Sequence, residues 1–378
     1  MKKIFLTTIA LLSIVSASVF GMYGADSGWI DFLTHGNQFR ARMQQLGFTL
    51  GNDTIKGTFG FNNNAGYGGV YGSLLSTANG GITYDFKPSI SMGLGYTSSL
   101  ISVGVGYNAT IGTGYKDNGK SYNPVAHTPV LVLNAMDNAF RMAIPIQVYV
   151  NNDKFDGGGY DNEMAVSVDS QFRYYTGLDA LPQVRLYLRY GLYQNELKAN
   201  KDAEKVKTKY GESFGFDFRL YFGSMVEEVA LQPLVKLAYN QALGNYHQDT
   251  KVEAVKAMNG DYNSYQSGSY GGSVWDLQLM TGLGLTANSD IVSLYLEPQL
   301  GLAVTSRAPI VATAPGTPAP ARVTTESYDL AYNVYAEIYI TPIKNLEWYF
   351  EAQLGSGANQ NSLVFNGTTG ITWYLPAL

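Results

Sequence analysis

Histidine is the side chain most often recruited for proton transfer and metal binding, and this chain has three: His35, His127 and His247. They are far apart, with none of the short spacings by which imidazoles share a metal ion. Each reads as a loop histidine. No serine, histidine and acid can be nominated together as a nucleophile with its base. Gly93/Gly95 and Gly104/Gly106 are Gly-x-Gly pairs, but they lack the strand-to-helix setting of a phosphate-cradling loop. They read as strand glycines facing crowded neighbours. The stretch Asn151–Glu163 places Asn152, Asp156, Gly157 and Glu163 at offsets that suit a calcium loop, yet Lys154 occupies a ligand position. A solvated hairpin loop is the expectation there. The chain is therefore expected to be no enzyme, with no catalytic residues, no cofactor and no metal.

What remains is charge, and its placement is regular. Arg141, Arg173, Arg185, Arg189, Arg219 and Lys236 occupy consecutive segments, and Asp276, Glu297, Glu337, Glu347 and Glu351 occupy the segments that follow. Closing such segments into one sheet would set a basic wall against an acidic wall. Neither wall can be left in hydrocarbon, so an enclosed polar space is required. The eleven residues are then the candidate pore lining, with a transverse field that sorts solutes by charge and dipole. The alternative is a narrow barrel that the same residues pair across and fill.

The elements that must position these charges are strands. From residue 140 onward the chain alternates with period two. Phe140, Met142, Ile144, Ile146, Val148 and Val150 share one parity, and Arg141, Ala143, Gln147 and Tyr149 the other. The same scheme runs through Met164–Tyr174, Val184–Leu192, Phe214–Phe222, Val229–Tyr239, Trp275–Leu285, Val292–Val304, Leu330–Ile340 and Leu346–Leu354. In these runs every charged residue lies on the polar parity, which is strand periodicity and not helix. Run lengths suit a tilted membrane-spanning strand, and aromatics such as Tyr174, Tyr190, Trp275, Trp348 and Trp373 gather near run ends, where interfacial girdles sit. Short turns (Met136–Asn138, Gly177–Pro182, Ser224–Glu227, Ala287–Asp290, Thr341–Asn345) alternate with long loops at about 113–127, 151–162, 195–210, 243–272 and 306–326. That asymmetry belongs to a barrel with periplasmic turns and outward loops.

The first third alternates less clearly. Asn52-Asp53 marks a turn between Phe48–Leu50 and Ile55–Phe61, and Asp31–Gln45 reads as a short helix or a first strand. The expected fold is all-β, a transmembrane antiparallel up-and-down barrel of about 14 strands, with 12 and 16 the neighbouring even counts.

Composition agrees. Charged residues make up 15% of the 378 residues, against about 25% in soluble domains. Tyr (29) and Gly (42) are abundant, and cysteine is absent, so disulfides contribute nothing. With 25 basic and 30 acidic residues, a nucleic-acid partner is not expected. At the N-terminus Lys2 and Lys3 precede an apolar run, Ile4–Val15, and small residues lead to Gly21. This order predicts a cleaved secretory signal peptide over 1–21, with Ser18 the other cleavage point. Residues 22–45 are expected to lead into the barrel, and 46–378 to form it.

The stretches MYG (22–24), SGWIDFLTHGNQFRARMQQLGF (27–48) and GNDTIKGTFGF (51–61) resemble the variable surface proteins of intestinal spirochaetes. The resemblance implies an abundant outer-membrane surface protein, one of several related copies, with loops exposed to the host immune system and subject to antigenic variation. The expected function is a variable surface antigen with porin-like passage of small hydrophilic solutes. The alternative is a non-conducting surface antigen or adhesin whose loops 243–272 and 306–326 bind host material. Expected partners are outer-membrane lipid, the barrel-assembly machinery, copies of itself or related surface proteins, and host antibodies or ligands at the loops.

Overall fold

The computed structural model describes residues 32–42, 45–63, 77–78, 81–82, 88–112, 115–117, 120–226, 229–244, 247–258, 269–270, 272–308, 310–311, 324–356 and 363–376. The expected signal peptide lies outside them. Among the described residues sixteen strands form one closed antiparallel sheet: β1 (Gln38–Arg42), β2 (Gln45–Gly51), β3 (Ile55–Asn63), β4 (Pro88–Thr97), β5 (Ile101–Ile111), β6 (Val125–Ala135), β7 (Phe140–Lys154), β8 (Tyr160–Leu178), β9 (Leu181–Lys198), β10 (Val206–Tyr221), β11 (Val229–Ala242), β12 (Trp275–Asn288), β13 (Val292–Arg307), β14 (Thr325–Ile343), β15 (Leu346–Ser356) and β16 (Leu363–Tyr374). Each strand pairs with its neighbours in the chain. The sheet closes where β1 meets β16, with Gln38 opposite Tyr374 and Phe39 opposite Trp373. Closure leaves no sheet edge, which is the condition for strands to cross a lipid bilayer.

The count is sixteen and not about fourteen. The added strands come from segments whose own alternation is weak: β1 has five residues, and β16 contains Asn366–Gly370, which carries no apolar face. Neighbours on both sides hold such strands in the ladder. The barrel begins at Gln38, within residues 22–45, the segment expected to lead into it; of the two readings of Asp31–Gln45, short helix or first strand, a strand forms over Gln38–Arg42. Asn37 ties the seam, its side-chain amide donating to the carbonyls of Gly51 (2.9 Å) and Pro376 (2.8 Å).

The two parities face as the membrane reading requires. Leu94, Val105, Leu279, Leu300, Leu330 and Trp348 are exposed on the outside, whereas Arg141, Arg173, Asp217, Glu297, Glu337, Glu347 and Glu351 are buried within. In water such an exterior would aggregate; in acyl chains it is solvated.

The turn Met136–Asn138 forms with all three residues at positive φ, and Asn52 caps the β2–β3 turn by accepting from the Thr54 and Ile55 amides. Ser224–Val226, expected as a turn, pairs as a short strand with Val229–Leu231. The loops expected at 151–162 and 195–210 are mostly strand. β7 runs to Lys154 and β8 starts at Tyr160; β9 runs to Lys198 and β10 starts at Val206. β8 has 19 residues, about twice what a tilted strand needs to span the bilayer, so these hairpins stand clear of it. The same pairing dissolves the calcium-loop spacing of Asn151–Glu163. Asn151 lies opposite Glu163 in the β7–β8 ladder, and Glu163 accepts from the hydroxyls of Tyr149 and Tyr193.

A lumen narrowed from both ends

The eleven candidate lining residues all lie on the inner face. Their register is more specific than two opposed walls. Arg141 pairs with Arg173, Arg173 with Arg185, Arg185 with Arg219, and Arg219 with Lys236. Five cations thus form one unbroken row across β7–β11, at the strand spacing of about 4.8 Å. Like charges set directly opposite one another are destabilising in a sheet, so the row needs local compensation. Tyrosine rings supply part of it. Arg141 stands 4.9 Å from the Tyr175 ring centroid, Arg185 4.7 Å from Tyr221 and Arg219 5.1 Å from Tyr187. Asp217 supplies more, 2.8 Å from Arg219 and 3.8 Å from Lys236. Arg189 lies off the row and pairs with Asp169 at 3.2 Å.

The acidic wall is built differently. Glu337 is 0% exposed, with the hydroxyls of Tyr335 and Tyr339 donating to its two oxygens. Tyr349 donates to Glu351, Tyr295 and Gln299 to Glu297, and Tyr374 to Glu347. Hydrogen bonds to a charged oxygen are the strong kind, and here they sheathe the carboxylates in phenol. Arg42, from β1, stacks 3.8 Å from the Tyr349 ring beside this wall. Asp276 is engaged by Asn240 (2.9 Å) and Thr250. The sheathing has a signal in the sequence that the alternation alone does not isolate. Tyr and Glu recur two residues apart in Tyr295–Glu297, Tyr335–Glu337–Tyr339 and Tyr349–Glu351, and i, i+2 residues of a strand share a face.

Two segments enter the lumen. The first is part of the stretch 243–272, expected wholly outside. Its residues 247–258 fold inward and end in the short helix Ala254–Met258. Val252, Ala254, Ala257 and Met258 pack against Ala126, Tyr149, Ala165 and Tyr193 on the inner wall. The seat is a row of small side chains brought level by register: Ser167 opposite Gly191, and Gly191 opposite Ser213. The Val252 amide donates to Ser213 Oγ (2.8 Å) and the Ala254 amide to Ser167 Oγ (2.9 Å). Lys251 reaches Asp169 (3.7 Å) and Glu253 (3.1 Å), and Lys256 reaches Glu253 (3.1 Å). Burial pushes the Glu253 carboxyl up, and Lys251 and Lys256 more than reverse this, holding it below its ordinary value. His247 anchors the start of the segment: it is fully buried, and its Nε2 accepts from the Glu212 amide at 2.9 Å. Burial holds this imidazole below its ordinary value, against the opposing pull of Glu212 and Asp249.

The second segment precedes β1. Phe32 and Leu33 are buried against Val130, Val132 and Ala143. They lie over Gly95 and Gly104, which face each other across β4–β5. A β-carbon on Gly95 would stand 2.0 Å from Leu33 Cδ2, and one on Gly104 2.6 Å from Phe32 Cζ. Lys56 Nζ donates to the carbonyls of Leu33 (3.0 Å) and His35 (2.8 Å). These glycines do face crowded neighbours, as expected, and the neighbours are this segment. Its trace in the sequence is Val130–Leu133, a run that is aliphatic on both parities. The third histidine, His127, lies on the outer face against Tyr107. The three histidines thus occupy three separate environments.

A family model described as Serpulina hyodysenteriae variable surface protein matches residues 2–374. Among solved structures, the ferric-catecholate import receptor Fiu from E. coli K12 is similar at 8% identity and a TM-score of 0.42, over 87% of this chain and 58% of Fiu. OmpT, an outer membrane protein of Vibrio cholerae, is similar at 10% identity and a TM-score of 0.34, over 90% of this chain and 96% of OmpT. The outer membrane channel DcaP of Acinetobacter baumannii is similar at 8% identity and a TM-score of 0.30, over 89% of this chain and 95% of DcaP. A search of curated proteins found no match.

Proposed function

Because this chain belongs to the Serpulina hyodysenteriae variable surface protein family, we propose that it is an outer-membrane surface protein whose lumen passes small hydrophilic solutes. One observation carries this reading: the charged side chains of the alternating strand runs lie inside a closed barrel whose opposite parity is apolar and exposed, and part of that charge stays accessible. A barrel held together only by its interior would need no accessible charge there. The inward segment 247–258 acts as a constriction that sets the size limit, since it leans on one wall and is held by side chains of that wall. The long-loop end faces away from the cell, as is general for outer-membrane barrels, and forms the variable exterior met by host antibodies. The purified, refolded protein in a planar bilayer tests the proposal. Stepwise conductance is expected, and its absence at several salt concentrations would refute it.

A second reading is favoured by the two inward segments, which narrow the lumen from opposite ends. In it the protein does not conduct and serves as a surface antigen or adhesin. Since 247–258 lies inside, the host-contacting loop would be the other of the two expected, 306–326. Deleting that loop should abolish attachment to host material while the barrel persists; unchanged attachment refutes this reading.

A further inference from the structure

We infer that the lumen selects for anions, and that Arg219 and Lys236, at the end of the cationic row, with the neighbouring cations of the constriction are what select them. The inference rests on the conducting reading above and deepens it by naming the solute class.

The first support is stoichiometry at the constriction. Arg189 and Lys251 share Asp169; Lys251 and Lys256 share Glu253; Arg219 and Lys236 share Asp217. Five cations there share three carboxylates in these ion pairs.

The second support is accessibility. The side chains of Arg189, Arg219, Lys236 and Lys251 are 21%, 23%, 17% and 35% exposed, and those of their partners Asp217, Asp169 and Glu253 are 4%, 12% and 16% exposed. On the opposite wall Glu297, Glu337 and Glu351 are buried beneath tyrosine hydroxyls. A solute in the lumen therefore meets N–H donors on one side and phenol on the other. Glu297, Glu337, Glu347 and Glu351 each already accept from a tyrosine hydroxyl, which weakens them as cation ligands. The third support is geometric. Arg219 and Lys236, the accessible end of the row, stand directly opposite each other at about 4.8 Å, so an anion leaving one is within reach of the other.

A local potential of about one kT enriches anions roughly threefold over bulk, and several kT are common in charged clefts. The expected result is a chloride-over-potassium permeability ratio of about three. It is read as the zero-current potential of the refolded protein in a planar bilayer across a potassium chloride gradient. The double variant Arg219→Gln/Lys236→Gln should bring the ratio close to one. Lys256→Gln, on the inward segment and away from the strand ladder, should lower it part of the way and is a safeguard if the double variant does not refold. Glu351→Gln should leave the ratio unchanged, because that carboxylate is already sheathed. A conducting protein with no preference, or with a preference for potassium, overturns this inference while the porin reading stands. Potassium preference would mean that Asp153, Asp161 and Glu163, at the long-loop end of the inner face, govern entry. A protein that never conducts overturns both.

Discussion

The carbonyl oxygen of Val252 lies 1.9 Å from the point where a β-carbon on Gly191 would stand. Gly191 sits in a strand of regular pairing, between Ser167 and Ser213, where the backbone alone would accept any residue. The glycine is there for the segment that rests on it. Gly191→Ala should therefore lift residues 247–258 from the wall without unpairing β9. Single-channel conductance should rise, and protease should cut within 247–258 in the folded barrel. An unchanged conductance would mean that the segment does not narrow the path. The strain from overpacking is expected to cost roughly 1–3 kcal/mol.

Acid should loosen the same segment. Burial disfavours the charged form of His247, so its imidazole is harder to protonate in place than when the segment is released. The released form then binds more protons, and seating weakens as pH falls from about 6.5 through the lowered value. Hydrogen exchange of the amides of Val252 and Ala254 is expected to accelerate over that range. In His247→Gln the acceleration should be absent. Identical pH profiles for the two proteins would rule the imidazole out as the anchor.

The lipid-facing parity can be tested at one strand. Leu279 is exposed on the outside of β12, and its neighbour Gln278 faces inward, accepting from Lys236 at 3.3 Å. Leu279→Arg should destabilise the barrel in a bilayer by about 2–4 kcal/mol, the cost of a cation on the lipid face near the midplane. Gln278→Glu should change stability by no more than about 0.5 kcal/mol. Reversible unfolding in lipid vesicles measures both. The opposite ranking would invert the assigned faces.

The segment before β1 should behave as part of the packed interior. Phe32→Ala removes a fully buried ring and should cost about 3 kcal/mol. Gly104→Val should displace the same ring, by the overlap noted above. Either change should lower the temperature at which the protein loses its folded gel mobility. If neither does, Phe32 contributes nothing to the closed barrel.

Alternation is a local property, and it was enough to divide the residues of β7–β15 between two faces and to place all eleven lining charges on one of them. The chemistry of the charges then dictated which face lies inside, since ionised groups cannot rest in acyl chains. Short turns such as Met136–Asn138 were legible too, because Gly, Asn and Asp mark turns by their own backbone preferences; the lengths of the long connections were not, since pairing extended the strands into 151–162 and 195–210. Register was not legible. Whether Arg173 meets Arg185 or a residue two positions away depends on pairing between strands, and only pairing made a row of five cations out of scattered ones. The same holds for Ser167, Gly191 and Ser213, whose small side chains mean nothing until they are level. Loops have no period, so nothing in 243–272 announced that 247–258 would turn inward. That was settled by space the wall left open and by hydroxyls waiting there for two backbone amides, a complementarity between segments distant in the chain that exists only once the barrel has closed.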